Sequence, residues 1–165
     1  MQSLPPRWSQ SPYRARLLEL YAKTDELLRD RSCSCAPEGE LAAPCCRFAV
    51  SGHEPYPTAV EIEEIRHALR ASSVAPRDPR KLPLAAGRPC PLLSDAGLCR
   101  VYDARPFGCR TYFCDASEGG AQARRGSHRA AVSAIGRQIA DLSEAFSPRE
   151  SGPRPLTRAL AAPRR

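Results

Sequence analysis

Eight cysteines are the residues of this chain whose type and spacing could do chemistry. Four lie in the run Cys90-Pro-Leu-Leu-Ser-Asp-Ala-Gly-Leu-Cys99-Arg-Val-Tyr-Asp-Ala-Arg-Pro-Phe-Gly-Cys109-Arg-Thr-Tyr-Phe-Cys114, and four lie upstream at Cys33, Cys35, Cys45 and Cys46. Thiolate sulfur is the natural ligand of zinc, iron–sulfur clusters and Cu(I). Four thiolates suffice for one tetrahedral zinc or one cubane cluster, so eight fill two such sites, or one with residues to spare. In a reducing compartment such a set is expected to hold metal rather than form disulfides. The chain has no C-x-x-C, which argues against an ordinary zinc ribbon or finger. Spacing alone therefore supports a metal-binding cysteine cluster without naming the metal.

Adjacent Cys45 and Cys46 add a geometric constraint. In an extended segment neighbouring side chains point to opposite faces. Such a pair would feed two sites or one multinuclear site, or leave one thiol as buried packing. Imidazole is a good zinc or iron ligand, but His53 is a lone histidine in a loop and is expected to be solvated. His67 and His128 have no cysteine close in sequence and read as surface residues. Arg100, Arg105 and Arg110 surround the later cysteines. Four thiolates around zinc leave a net charge of about −2, which nearby arginines would offset while donating hydrogen bonds to sulfur. Arg105 and Arg110 are the better candidates for that role, although arginine is frequent throughout the chain.

The elements that must position these residues are short. Ser11 before Pro12 is a good helix start, and Tyr13, Leu17, Leu20, Tyr21, Thr24, Leu27 and Leu28 recur at helical spacing, predicting an amphipathic helix over 12–30. Thr58-Ala-Val-Glu61 matches a capping box, with Ile62, Ile65 and Leu69 continuing one face of a helix over 59–71. Val132, Ile135, Ile139, Leu142 and Phe146 predict a third helix over 128–146. Arg47–Val50 reads as a short strand. Two further strands are expected around the turn Ser94-Asp-Ala-Gly97, and Arg105–Gly108 forms another turn. Arg110–Phe113 reads as a strand or one helical turn. Residues 31–46 and 72–89 read as irregular connections. The expected organisation is a disordered N-terminus over 1–10, one cysteine-cluster domain over 11–146 and a disordered basic tail over 147–165.

Composition sets the remaining bounds. Aromatic residues make up 6% of 165, and 17 residues are proline, so the core should be small and gain much from metal or cross-links. The net charge of +7 rests almost wholly on arginine. Without a basic stripe interleaved with aromatics this argues against a nucleic-acid partner, and a GC-rich genome yields the same Arg-, Ala- and Pro-rich composition. No apolar run matches a signal peptide or the roughly 20 residues of a membrane span. A soluble, cytoplasmic chain with no membrane partner is the expectation.

The run Cys90–Cys114, with Cys99-Arg-Val-Tyr102, Arg105-Pro106 and Cys109-Arg110 inside it, resembles the YkgJ-type cysteine-cluster family. The pair Cys45-Cys46, followed by a loop and the helix containing Glu61-Ile62, fits the first half of that family. The resemblance covers 33–115 and implies a zinc- or iron-chelating domain that uses all eight cysteines. Together these readings predict an α+β fold: a small, irregular, metal-stapled domain with three helices and a short hairpin. Its expected ligands are Cys33, Cys35, Cys45, Cys46, Cys90, Cys99, Cys109 and Cys114, holding zinc or iron, including an iron–sulfur cluster. The competing readings are a metal-dependent enzyme acting on a protein substrate or in redox chemistry, and an exported disulfide protein. Nucleotide loops and Ser/His/Asp arrangements are lacking. His53, Glu54, Asp103 and Asp115 are the nearby acid–base candidates, each expected to be solvated.

Overall fold

The computed structural model describes residues 7–29, 44–72, 89–112 and 128–161. Cys33, Cys35, Cys114 and Asp115 lie outside them, as do residues 31–43 and 73–88 of the connections expected over 31–46 and 72–89. In chain order the helices are α1 (Pro12–Leu27), α2 (Phe48–Ser51), α3 (Ala59–Ala71), α4 (Phe107–Arg110), α5 (Arg129–Phe146) and α6 (Leu156–Ala161). Single 3-10 turns form at Trp8–Gln10, Pro44–Cys46 and Tyr102–Ala104. Among the described residues no helix is long and apolar enough to cross a membrane.

The three long helices pack on one another. Ser11 sits at the N-cap of α1 with Pro12 behind it, but its side chain makes no capping bond. Leu17, Leu20 and Tyr21 of α1 meet Val60 of α3 and Ile135 and Ile139 of α5 in one apolar cluster. Each fully buried leucine of such a cluster contributes about 2 kcal/mol. Trp8 closes one end: its ring meets Phe146 edge-on at 5.4 Å, and its Nε1 donates to Glu64 at 2.7 Å. Of the stretch expected to be disordered over 1–10, Trp8–Gln10 form a 3-10 turn and Trp8 is anchored by its indole.

A second cluster lies on the other side of α3. Ile62, Ile65 and Leu69 pack there with Phe48, Leu92, Leu93, Val101, Leu156 and the thiol-bearing Cys90. Helix α3 therefore serves two cores. Two buried carboxylates, Glu61 and Glu64, sit on it, each with hydrogen-bonding partners. The α3 start is the expected capping box, with Glu61 Oε2 accepting the Thr58 N–H at 2.8 Å.

The expected α+β fold with a hairpin is overturned, because the described residues contain no strand. The Ser94–Gly97 turn does form: the Gly97 N–H donates to the Ser94 carbonyl at 3.1 Å, and Gly97 takes a φ of 75° that favours glycine. Pairing around it stops at the isolated bridge Leu93↔Cys99. On one side Pro89 and Pro91 lack the N–H that a ladder needs. On the other, Val101 is buried and leads directly into the 3-10 turn at Tyr102–Ala104. Arg47 makes a single bridge to Pro89, and the segment expected as a strand after it is the one-turn helix α2, ended by Gly52 at φ 64°.

The tail expected to be disordered from residue 147 is folded back as far as Ala161. Leu156 is fully buried, and its N–H donates to the Pro55 carbonyl at 3.0 Å. Leu156 and Ala159, with the partly buried Leu160 beside them, bring α6 into the second cluster although proline and arginine surround them in sequence.

Candidate metal centre

The Cys45-Cys46 pair lies on a 3-10 turn, not on an extended segment. The opposite-faces constraint therefore does not apply, and both residues line the same cavity. The Cys46 carbonyl accepts the Cys90 N–H at 2.7 Å, which ties the early cysteines to the later run. Beyond the Ser94 turn, the Arg100 N–H donates to the Leu92 carbonyl at 2.9 Å and keeps Cys99 beside Leu93. Cys109 sits inside α4, whose N-cap is Pro106.

These segments converge on one cavity of about 350 Å³. Its lining includes Cys45, Cys46, Cys90, Cys99 and Cys109, the five described cysteines, all as free thiols. His53, Asp25, Arg105, Arg110 and Tyr112 supply much of the polar part of the wall. Phe48, Leu92, Pro55 and Leu156 supply much of the apolar part. Among the described residues no group of three or more His, Cys, Asp or Glu side chains is already placed to hold a metal ion.

The thiols are electrostatically unlike one another. Burial pushes Cys90 up to about 12, with the Leu92 N–H pulling against it. Burial likewise raises Cys109, and the thiols of Cys90 and Cys99 add repulsion. Cys99 is raised by burial and drawn back by the Val101 backbone and the Arg105 charge. The Cys46 thiol donates to Cys45, which lowers Cys45 to about 6 and raises Cys46. Soft sulfur donors held in a partly apolar cavity suit zinc or iron, because a cation there offsets both the burial and the mutual repulsion of the thiolates.

The arginines divide their roles. Arg105 stacks over the Tyr102 ring at 4.0 Å and stands 3.7 Å from Asp25, with its charge acting on Cys99. Arg110 is buried and acts as a bracket. Its guanidinium lies 4.0 Å over the Tyr21 ring, pairs with Asp25, and donates to the carbonyls of Asp103 and Arg105. It therefore ties the Cys109 turn to α1. Sequence reasoning missed Tyr21 and Asp25 as its partners, although their i, i+4 spacing places them on one face of α1.

Glu54, expected to be solvated, accepts the Thr157 N–H at 2.9 Å and its hydroxyl at 2.6 Å, which anchors the start of α6. Asp103 is exposed. His53 is not simply solvated either: its ring is half-buried and stacks on Tyr112 at 4.1 Å with the planes 6° apart. His67 and His128 do not line the cavity.

No family model, curated protein or solved structure gives a significant match to the chain.

Proposed function

We propose that the chain is a metal-binding protein whose cysteines chelate zinc or iron, the iron as single ions or as an iron–sulfur cluster. The observation that carries this reading is the convergence of Cys45, Cys46, Cys90, Cys99 and Cys109 on one cavity from segments far apart in sequence. Separate turns of the chain deliver these sulfurs to one place. Cys33, Cys35 and Cys114 complete the proposed donor set. The resemblance of the Cys90–Cys114 run to a zinc- or iron-chelating family supports the same chemistry.

The site also staples the fold. Three of the buried or neighbouring members of the second core are Cys46, Cys90 and Cys99. Metal binding energy here is folding energy. The test is anaerobic purification followed by measurement of metal and acid-labile sulfide per chain. Stoichiometric metal supports the reading: labile sulfide with visible absorbance selects a cluster, and a colourless zinc protein selects zinc. A metal-free chain that folds fully and melts identically with and without chelator overturns it.

A further inference from the structure

His53 carries an atom that the fold leaves unexplained. Its Nε2 is shielded from solvent and has no hydrogen-bond partner. Buried polar atoms are nearly always paired with protein or an ordered water, so an orphan calls for a ligand or a functional reason. This one belongs to a ring that lines the same cavity as the five described thiols.

The ring is held in place on several sides. Gly52 closes α2 in the left-handed region and delivers His53 to the cavity wall. The Ser51 hydroxyl accepts the His53 N–H at 3.2 Å and donates to the His53 carbonyl at 3.3 Å. Tyr112 stacks flat on the ring, and its hydroxyl donates to the Ser51 carbonyl at 3.4 Å. The Gly108 backbone, next to Cys109, also acts on the ring. A ring whose plane is fixed by its neighbours while one nitrogen stays without a partner is ready to receive an ion.

We propose that His53 Nε2 is the nitrogen donor of a mixed thiolate–imidazole metal site formed with the cysteines of this cavity. The proposal rests on the metal-binding reading and deepens it: the site is not built from sulfur alone. Placing imidazole among thiolates also reduces the negative charge that the ligand shell carries.

The test loads the full chain anaerobically, in parallel, with zinc and with ferrous iron plus sulfide. Metal-edge X-ray absorption then counts nitrogen and sulfur neighbours. The expected result is one nitrogen among the sulfurs, lost in His53→Phe, which keeps a ring to stack on Tyr112, and replaced by sulfur in His53→Cys. His53→Phe should also weaken metal affinity by at least the ~100-fold reached when outer partners of a ligand are removed. His67→Phe serves as the control and leaves the spectrum unchanged. A wild-type shell of sulfur alone, or an unchanged spectrum and affinity in His53→Phe, overturns the proposal and leaves the cysteine metal site standing. A chain that binds neither metal overturns both. If His53→Phe fails to fold, His53→Cys still decides the matter, because gain of one sulfur at the expense of nitrogen requires the wild-type nitrogen to have been a ligand.

Discussion

Glu61 Oε1 accepts the backbone N–H of Phe107 at 2.7 Å. A carboxylate that caps α3 thus also holds the first residue of the helix carrying Cys109. The same oxygen accepts the Tyr21 hydroxyl at 3.1 Å, while Oε2 serves Thr58. One buried side chain therefore joins α1, α3 and α4. Replacing it with alanine strands the Thr58 and Phe107 N–H groups together. Glu61→Ala is expected to cost on the order of 3 kcal/mol in urea unfolding of the metal-free chain. Glu61→Gln, which keeps two acceptor positions on one oxygen but offers an amine to the other donors, should lose less.

Arg110 is the second junction. Arg110→Met removes the bond to Asp25, those to two backbone carbonyls and the contact over Tyr21, and leaves apolar volume. About 2–4 kcal/mol of stability should go with it, the breaking of a buried charged network discounted because Asp25 is about half exposed. Asp25→Asn should cost about 1 kcal/mol. The double variant should show clear coupling in denaturant unfolding, since both act through one network.

Leu156 tests whether α6 belongs to the core. Leu156→Ala empties a fully buried position and should destabilise by about 2–5 kcal/mol in thermal or denaturant unfolding. An unaffected midpoint would detach α6 from the fold. Thr157→Val, which breaks the hydroxyl bond to Glu54, should have a smaller effect of about 1 kcal/mol.

The metal-free chain should show opposing pH effects. Cys45 has a folded value near 6, below the ordinary 9.0, so its contribution is complete above pH 9 and is lost as the pH falls toward 6. Cys90 is raised to about 12, so its contribution is complete below 9 and is lost as the pH rises through 12. Cys99 and Cys109 act in the same direction as Cys90. Above pH 9 the unfolding midpoint should therefore fall. Near neutral pH, iodoacetamide with peptide mapping should label Cys45 first and Cys90 and Cys109 last. Equal labelling of the three would contradict these environments.

Metal affinity should itself depend on pH. Each thiol that binds gives up a proton, so competition with a chromogenic chelator should show affinity falling roughly tenfold or more per unit as the pH is lowered. A pH-independent affinity would mean that thiols are not the donors.

The long helices were legible because their apolar positions recur often enough to show a period. Leu17, Leu20 and Tyr21, or Ile135 and Ile139, define a face over several turns. The one-turn helices α2 and α4 are too short to show one, and Phe48-Ala-Val50 reads equally well as strand. The hairpin failed for a related reason. Its turn chemistry was right, but the flanking Pro91, Leu92 and Val101 are drawn into the core and away from a ladder. The tail was misread because a few apolar residues, Leu156 foremost with Ala159 and Leu160, outweigh the surrounding proline and arginine once Pro55 and Glu54 receive the segment. At the site, residue type picked out the sulfurs. The burial of His53 and the joint placement of Cys45 and Cys46 depend on a backbone turn that carries no periodic signal.

Helix α3 has one apolar cluster on each side, and the sole tryptophan of the chain hangs from it through the Trp8–Glu64 bond. A tilt of that helix would move the indole bonded to it. The protein thus carries its own optical gauge for the proposed metal reading: an ion that shifts this helix on entering the thiol cavity would be read through the emission of a residue that does not line that cavity.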